Sequence, residues 1–513
     1  LPNSVIQEQQ LISRWTALNQ IHFPTDVAHF EAAVHRIKFE ELFVAQVRMN
    51  LLRSQRHRYS KGIVFERVGD RFNDFYQHHL PFQLTGAQKR VIKEIRADLG
   101  SGRQMNRLLQ GDVGSGKTMV AILIMLLAVD NGHQACLMAP TEILSRQHFN
   151  TIQPLLEKVG VRVGILTGST RAAERRKLLA ELQSGELSML IGTHALIEEV
   201  VQFKNLGLAI IDEQHRFGVA QRAQLQKKGI QPPHVLVMTA TPIPRTLAMT
   251  AYGDLDYSVI DEMPPGRQPV KTVHRHETRR AQVMEFIRTE IDKGRQVYII
   301  FPLIEESAKL DYENLMKGYE QVKSWFPEPT YWISMVHGKQ PADQKETNMR
   351  RFVEHDTQIM VSTTVIEVGV NVPNATVMVI ESSEKFGLSQ LHQLRGRVGR
   401  GGEQSYCILM TGSKLGVDAR ERLAIMTATN NGFEIAEKDL ALRGPGDIEG
   451  TRQSGALNLK LASLTQDRDL LEKAQVSAER VAEADPELAA PEHQLLRIFL
   501  QQRMGPVRWS GIA

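Results

Sequence analysis

The chain has 513 residues, enough for about three or four domains and for more than one hydrophobic core. Apolar residues make up 42% and charged residues 23%, and 62 Lys and Arg stand against 58 Asp and Glu. This composition excludes a disordered, fibrous or membrane-embedded chain, and the net charge of +4 permits a nucleic-acid partner without requiring one. The two cysteines, Cys136 and Cys407, lie far apart in apolar runs, which excludes a disulfide scaffold and predicts a reducing, cytoplasmic location.

The first predicted elements along the chain are helices. Residues 1–58 carry apolar side chains at helical spacing, including Phe39, Leu42 and Phe43, and no catalytic pattern is found there. The longest apolar run, 119–129, is shorter than the ~20 residues that cross a bilayer. The N-terminus shows no signal-peptide pattern, so neither a membrane partner nor secretion is expected.

From about residue 80 the chain alternates between short β-rich runs and helical segments, which predicts an α/β protein with two successive parallel sheets flanked by helices. About five strands are expected in each sheet: 135–139, 161–166, 189–192, 208–211 and 235–238, then 296–301, 331–336, 358–362, 377–380 and 406–409. The segment at residues 107–109, before the apolar run at 119–129, is short for a strand. A Pro- and Gly-rich break at 263–266 predicts a linker. We therefore divide the chain into N-terminal linker helices (1–79), a first lobe (80–263), a second lobe (264–410) and a helical C-terminal part with a Gly-rich interruption (411–513).

The strongest local signal is a phosphate-binding loop with the sequence GDVGSGKT at residues 111–118. Its glycines allow successive backbone N–H groups to surround a polyphosphate at the start of a helix. Lys117 is predicted to neutralise the β and γ oxygens, and the Thr118 hydroxyl to ligate Mg²⁺. The other predicted contacts to the nucleotide come from Gly111, Gly114, Ser115 and Gly116.

Two further motifs complete the predicted catalytic set. The strand at 208–211 ends in Asp212, predicted to hold Mg²⁺, and Glu213, predicted to polarise the attacking water. In the second lobe Arg397 and Arg400, three residues apart, are expected on one helical face, from which they reach the γ-phosphate as arginine fingers. The alternative is a basic helix whose charge is neutralised by surface acids.

Taken together, these motifs resemble those of superfamily 2 helicases and translocases, which have two RecA-like lobes. The sequences APTE (139–142), GTH (192–194), TATP (239–242) and STTVIEVG (362–369) stand in the order of that superfamily's motifs. The segment FQLTGAQ (82–88) resembles its adenine-recognition motif. The resemblance implies ATP and Mg²⁺ as cofactors, with Phe82 and Gln88 at the base and Gln393 in the nucleotide site.

A narrower resemblance, to the RecG family, lies in DEQHRFGV (212–219), in TATPIPRTL (239–247) and in residues 439–455. It implies an ATP-dependent translocase on double-stranded DNA that remodels stalled forks and Holliday junctions in repair and recombination. It also implies a C-terminal helical hairpin and loop, in which Arg422, Arg443 and Gln453 couple ATP turnover to movement along DNA. Single-strand-binding protein as a partner, a monomeric state and a bacterial, nucleoid-associated cytoplasmic location follow from the same resemblance. Because nothing before residue 80 resembles the family's N-terminal wedge domain, we expect a motor with its linker helices and without the wedge.

Candidate contacts to DNA phosphates lie on loops at predicted strand ends. They are Thr141, Thr193, His194, Thr241, Lys339, Thr363 and Thr364. Hydroxyl and ammonium groups suit phosphate oxygens, and phosphate contacts carry no sequence information, as a motor that steps over any sequence requires. The competing interpretation is that such Ser and Thr residues cap helices.

The motifs leave other functions open. A transcription-repair coupling translocase shares the motor and the hairpin but pushes RNA polymerase, and GTRQSG at 450–455 fits RecG better. A non-enzymatic nucleic-acid-binding scaffold is disfavoured by the intact phosphate loop, acidic pair and arginines. An RNA helicase is a further alternative, which is distinguished by whether RNA or DNA stimulates ATP hydrolysis.

Overall fold

The structure, a computed structural model, describes residues 1–59, 61–213, 224–225, 227–240, 244, 255–302, 308–363, 372–412, 414–443, 459–463 and 466–504. Within these ranges, two parallel sheets follow one another along the chain, each with its own hydrophobic core on both faces. The predicted fold class, two RecA-like α/β lobes, is confirmed. None of the described helices is both long and apolar enough to cross a membrane.

Helices and strands alternate along most of the described chain. The helices are α1 (Asn3–Glu8), α2 (Arg14–His22), α3 (Val27–Tyr59), α4 (Asp70–Asp74), α5 (Gly86–Leu99), α6 (Lys117–Asp130), α7 (Glu142–Glu157), α8 (Ala172–Ser184), α9 (Arg280–Asp292), α10 (Ala308–Trp325), α11 (Ala342–Val353), α12 (Leu388–Arg395), α13 (Val417–Ala428), α14 (Gly432–Arg443), α15 (Arg468–Ala484) and α16 (Gln494–Met504). The strands are β1 (Asn106–Gly111), β2 (Gln134–Met138), β3 (Val163–Leu166), β4 (Met189–Gly192), β5 (Leu206–Asp212), β6 (His234–Thr239), β7 (Asp256–Ile260), β8 (Lys271–His276), β9 (Gln296–Ile300), β10 (Ile333–Val336), β11 (Ile359–Ser362), β12 (Ala375–Ile380) and β13 (Tyr406–Thr411).

The first sheet has the strand order β3-β4-β2-β5-β6-β1-β7, with all neighbours parallel. Strand β1 lies between β6 and β7, and β5 lies next to β6, so the phosphate loop after β1 and the acidic pair at the end of β5 open on the same edge. Helix α6 is apolar around its circumference because it is covered by the sheet on one side and by α4 and α5 on the other. This burial holds the helix that begins at the phosphate loop.

The second sheet has the order β10-β11-β9-β12-β13-β8, again all parallel. The prediction of about five strands per sheet is low, since the described residues hold seven in the first sheet and six in the second. Strands β7 and β8 were missed because they lie at sheet edges and read DYSVI and KTVHRH, without a continuous apolar run. The short segment 107–109 is part of the six-residue strand β1.

The two ends of the chain pack together. The apolar face predicted on α3, including Phe39, Leu42 and Phe43, is fully buried, and it packs chiefly against α15. The carboxylate of Glu41 on α3 accepts hydrogen bonds from the backbone N–H groups of residues 460–462 at 2.9–3.2 Å. Through these contacts α3 holds the chain just after residue 458.

Candidate nucleotide site

The phosphate loop forms the turn between β1 and α6. Gly114 and Gly116 have φ values of +79° and +86°, a region that favours glycine. A Cβ at Gly116 would overlap the Gln88 amide, and a Cβ at Gly114 would overlap the Arg267 guanidinium. The two glycines therefore permit both the curvature of the loop and the close approach of these side chains.

Lys117 is buried at the first position of α6. Its ammonium group donates hydrogen bonds to the carbonyl oxygens of Gly111 at 2.6 Å and Asp112 at 2.9 Å. Burial lowers the pKa of Lys117, while the nearby carboxylates of Glu213 and Asp212 oppose the shift. The lysine thus lies against the loop carbonyls, in the place from which it can turn to a phosphate.

The acidic pair lies at the end of β5, as predicted. Burial tends to raise the pKa of Asp212, but the hydrogen bond from His148 at 2.8 Å and the charges of His148 and Lys117 outweigh it, and the net shift is downward. Burial and the neighbouring charge of Asp212 raise the pKa of Glu213. Glu213 also has a φ of +52°, a strained value for a residue with a Cβ. Two adjacent carboxyl groups are therefore set apart in proton affinity, as distinct roles require.

The two predicted finger arginines do not share a helical face. Helix α12 ends at Arg395, and Arg397 and Arg400 follow it in a turn that contains Gly396 and Gly399, the latter at a φ of +77°. The expectation of one helical face is wrong because these glycines end the helix. Both side chains nevertheless face the same cavity, and burial together with the charges of Arg397 and Arg267 lowers the pKa of Arg400 to about 9.

A cavity of about 620 Å³ lies where the two lobes meet. The predicted residues that line it are Phe82, Gly114, Gly116, Lys117, Thr118, Asp212, Glu213, Gln393, Arg397 and Arg400. The predicted residues Gly111, Ser115 and Gln88 are not among those that line it. Within the described residues, the structure thus brings the predicted catalytic groups of both lobes to one space of a size that suits a nucleotide.

Gln88 is placed differently from the prediction. Its amide NH₂ donates to the Ser115 carbonyl at 2.8 Å, and its amide oxygen accepts from the N–H of Thr85 at 2.9 Å, which completes a capping box at the start of α5. The side chain is completely buried and supports the phosphate loop from behind. A contact between Gln88 and a base stays a prediction.

Sequence reasoning missed three residues around the phosphate loop and the acidic pair. Arg267, just after the linker motif, donates to the carbonyl of Val113 in the first lobe at 2.6 Å and to that of Gly399 in the second at 2.8 Å. His148 orients Asp212, and His392 bonds Asp112 across the lobes at 2.6 Å. Two signals could have found two of them: Arg267 directly follows a Pro-Pro-Gly turn, and His392 directly precedes the predicted Gln393.

The described DNA-contact candidates lie at the carboxyl ends of parallel strands. Thr141 caps α7, Thr193 is buried at the start of a short 3₁₀ turn, and His194 beside it is exposed. In the second lobe Lys339 is exposed after β10, whereas Thr363 is buried after β11. Thr241, Thr364 and Gln453 lie outside the described residues.

The predicted hairpin corresponds to α13 and α14, which pack on each other and on α12. Arg422, on α13, donates to the Glu384 carbonyl at 2.8 Å. Arg443 is the last residue of α14. Among described residues the hairpin thus contacts the helix that precedes the two finger arginines.

Comparison with known proteins first identifies the general class of protein to which this arrangement belongs. Residues 85–250 match the DEAD/DEAH box helicase family, and residues 279–402 match the helicase conserved C-terminal domain. The structure of Dbp5 from S. cerevisiae bound to RNA and ADP BeF3 is 16% identical, covers 80% of this chain and 97% of its own, and has a TM-score of 0.52, a likeness of fold alone. Fold and site define a two-lobed ATPase of the superfamily 2 helicase class.

The family follows from closer relatives. Residues 429–513 match the C-terminal part of domain 3 of the ATP-dependent DNA helicase RecG. RecG of Synechocystis is 50% identical over 98% of this chain and 60% of its own length, and RecG of Streptococcus pneumoniae is 47% identical over 98% of this chain and 74% of its own length. A solved structure of RecG bound to a three-way DNA junction is 43% identical, with a TM-score of 0.74 over 92% of this chain and 61% of that one. The chain belongs to the RecG family of ATP-dependent DNA helicases.

The predicted family is confirmed, and these relatives do not favour the transcription-coupling or scaffold alternatives. The chain spans about three fifths of the Synechocystis relative and of the chain in the junction complex.

Proposed function

We propose that this chain is the ATP-driven motor of a RecG-type helicase, which moves along double-stranded DNA and remodels stalled forks and four-way junctions. The observation that carries the proposal is the shared cavity, in which Lys117, Asp212 and Glu213 of the first lobe face Arg397 and Arg400 of the second. A site divided between two lobes makes their closure depend on the nucleotide. The complex of a RecG relative with a three-way junction supports branched DNA as the substrate.

The proposed roles follow from the chemistry of the lining groups. Lys117 exchanges the two loop carbonyls for the β and γ phosphate oxygens, and Glu213, with its raised pKa, takes the proton of the attacking water. Arg397 and Arg400 neutralise the charge that develops on the γ-phosphoryl group. Since the arginines come from the other lobe, hydrolysis and phosphate release weaken the attraction between the lobes.

The residues present fit Mg²⁺. The Thr118 hydroxyl and the Asp212 carboxylate line the same cavity, and hard oxygen ligands with few protein contacts are what this ion prefers. Held by Thr118 and Asp212, the ion would supply Lewis-acid polarisation of phosphate oxygens in this cavity. His148 orients the Asp212 carboxylate through the 2.8 Å hydrogen bond.

The proposed DNA track uses the loops at the strand ends. Thr141, Thr193 and His194 contact phosphates from the first lobe, together with Thr241. Lys339, Thr363 and Thr364 contact them from the second. The exposure of the His194 and Lys339 side chains supports direct contact with phosphates. Thr141 and Thr193 also cap the helical turns that follow them, and Thr363 is buried after β11.

Further parts of the proposal concern organisation and surroundings. The division at residues 79, 263 and 410 is supported by the strands, which fall between 106 and 260 in one sheet and between 271 and 411 in the other. The hairpin residues Arg422 and Arg443 and the loop residue Gln453 couple hydrolysis to movement. A monomeric motor in the bacterial cytoplasm with single-strand-binding protein as a partner completes the proposal.

The test is ATP hydrolysis by this chain with linear duplex, forked DNA, four-way DNA and RNA, followed by fork remodelling. We expect stimulation by DNA, strongest with branched DNA, and its loss by about 10³-fold or more in Lys117→Ala, because the buried ammonium that meets the phosphates is removed. Lys158→Ala, an exposed lysine at the end of α7, is the matched control. Stimulation by RNA alone would favour an RNA helicase, and normal turnover by Lys117→Ala would overturn the site. Gln453→Ala should keep most hydrolysis and lose fork remodelling.

A further inference from the structure

A chain of hydrogen bonds leads from the phosphate loop to the carboxyl end of α13. His392 on α12 contacts Oδ1 of Asp112 through its Nε2 at 2.6 Å, and its Nδ1 lies 2.9 Å from a guanidinium nitrogen of Arg395. The other terminal nitrogen of Arg395 donates to the carbonyls of Met426 at 3.0 Å and Thr429 at 2.8 Å. All three residues are more than nine-tenths buried.

The geometry determines which group donates and which accepts in each of these hydrogen bonds. A guanidinium can only donate, so Nδ1 of His392 accepts from Arg395 and is not protonated. Nε2 therefore carries the hydrogen and donates it to Asp112. Asp112 Oδ1 also accepts from the N–H of Val113 at 2.7 Å, so its orientation is tied to the backbone of the phosphate loop. The imidazole is thus a neutral, oriented link between two charged side chains.

The end of this hydrogen-bond series that lies at the phosphate loop responds to the proposed nucleotide. The backbone carbonyl of Asp112 accepts a hydrogen bond from the Lys117 ammonium group. This bond breaks when the ammonium group turns to a phosphate. The far end is the turn between α13 and α14, since Arg395 bonds the carbonyl of Met426 in the last turn of α13 and that of Thr429, the residue that follows this helix. A change in the loop can therefore reach the hairpin through residues that touch one another at every step.

His392 lies apart from the cavity proposed for the nucleotide. It lines a second cavity of about 330 Å³ on the other side of the phosphate loop, together with Arg395, Asn430 and Asn431. Neither His392 nor Arg395 lines the 620 Å³ cavity. The position of His392 therefore does not serve ATP binding or the hydrolytic step.

We propose that His392 is a positioning residue that transmits the state of the phosphate loop to the α13–α14 hairpin through Arg395. The inference rests on the proposed motor function and adds to it the path by which ATP turnover reaches the hairpin. It predicts that breaking the path uncouples hydrolysis from movement and leaves hydrolysis itself.

The first experiment compares ATP hydrolysis with displacement of a third DNA strand by translocation on the same protein. His392→Leu keeps the buried volume and removes both hydrogen bonds, whereas His392→Gln keeps a donor and an acceptor. We expect His392→Leu to retain hydrolysis within about threefold and to lose at least fivefold in base pairs moved per ATP, and His392→Gln to recover at least half of that loss. His274→Ala, which removes a histidine bonded to Thr411 within the second lobe, is the matched control.

Equal loss of hydrolysis and displacement in His392→Leu, or no loss of either, would overturn the inference. Absence of both activities in the unchanged chain would instead overturn the proposed function, so the two failures are distinguishable.

A second measurement leaves His392 and its partners unchanged. Spin labels at Val417→Cys on α13 of the hairpin and at Glu285→Cys on α9 of the second lobe occupy exposed positions, and both native cysteines are buried. A non-hydrolysable ATP analogue should shift the distance between the labels in the otherwise unchanged chain. The same distance with and without the analogue would show that the hairpin does not follow the phosphate loop.

Discussion

At the scale of single residues, the two carboxyl groups at the end of β5 differ because their neighbours differ. Asp212 receives a hydrogen bond from His148 and its pKa falls, while Glu213 is buried beside the Asp212 charge and its pKa rises. A low pKa suits a group that holds a cation, and a raised pKa suits a group that accepts a proton.

Replacing Glu213 by Gln should abolish hydrolysis and preserve ATP binding. The amide cannot accept the proton of the attacking water, and a typical general base contributes about 10²–10⁴ to the rate. Because the raised pKa keeps part of Glu213 protonated in acid, kcat of the parent should rise with pH through that pKa. Single-turnover hydrolysis and binding of a fluorescent ATP analogue measure the two effects. Weaker binding with normal turnover would contradict the role.

His234, which joins the N-terminal part at Ile63 to the first lobe at Met105, should make this region sensitive to acid. It is completely buried, Nδ1 accepts from the Met105 N–H, Nε2 donates to the Ile63 carbonyl, and burial lowers its pKa from 6.5 to about 4. The unfolded chain thus binds a proton that the folded chain does not between about pH 6.5 and pH 4, and stability is lost as the pH falls through this window.

The expected loss from His234 between pH 7 and pH 5 is about 2 kcal/mol in the free energy of unfolding. Urea unfolding at the two pH values should show that His234→Gln, although less stable at pH 7, loses less than the parent by about this amount. His22→Gln, at an exposed position, serves as the control. An unchanged loss in His234→Gln would show that this residue does not titrate on unfolding.

At the scale of elements, the long helix α3 provides a fixed support for the C-terminal segment. Its apolar face packs on α15, and Lys38 on α3 forms an ion pair with Asp467 at 2.9 Å. Glu41 holds three consecutive backbone N–H groups, a geometry in which one carboxylate replaces several backbone acceptors. The segment at 459–463 is therefore held by polar contacts in addition to apolar packing.

Glu41→Ala should release this segment. Removal of the carboxylate leaves the N–H groups of Lys460, Leu461 and Ala462 without their acceptor, and their hydrogen exchange should accelerate at least tenfold. Exchange measured by mass spectrometry on the peptide that spans 459–463 tests this, with Glu31→Ala on the exposed part of α3 as the control. Unchanged protection would mean that packing alone holds the segment.

At the scale of the whole molecule, few side chains connect the two lobes beside the phosphate loop. The interlobe hydrogen bonds of Arg267 reach the carbonyls of Val113 and Gly399, and His392 adds the bond to Asp112. Hydrogen bonds from a charged donor contribute about 1.5–3 kcal/mol each. The two contacts of Arg267, which lines the shared cavity, set the relative position of the lobes on which that cavity depends, whereas His392 lies outside it.

Arg267→Ala should favour the open arrangement of the lobes. Loss of both hydrogen bonds should shift the distance between dyes on the two lobes, measured by single-molecule fluorescence transfer, and reduce DNA-stimulated hydrolysis by about tenfold or more. Arg267→Lys retains the charge but donates to fewer carbonyls, so its effect should be intermediate. Equal closure in the parent and in Arg267→Ala would contradict the bridging role.

Much of the nucleotide site was predictable because its parts are local in sequence. The GDVGSGKT loop, the carboxylates that end β5 and the Gly-flanked arginines each form a short pattern whose chemistry follows from residue type and spacing. The central strands were predictable as buried apolar runs, whereas the edge strands β7 and β8 have no such run and were missed.

The two-lobed α/β fold, the ATP chemistry and the family could be predicted from the sequence by itself. Hydrophobic runs indicate the buried strands, and short motifs indicate the loops whose backbone geometry the chemistry requires. Only the tertiary structure decided which distant side chains meet. Asp112 and His392 are 280 residues apart and Arg267 and Val113 are 154 apart, and no local pattern encodes such pairs. It also decided that Arg397 and Arg400 reach the cavity from a turn and that Gln88 supports the loop, because the packing of neighbouring elements selects among the contacts that each side chain could make.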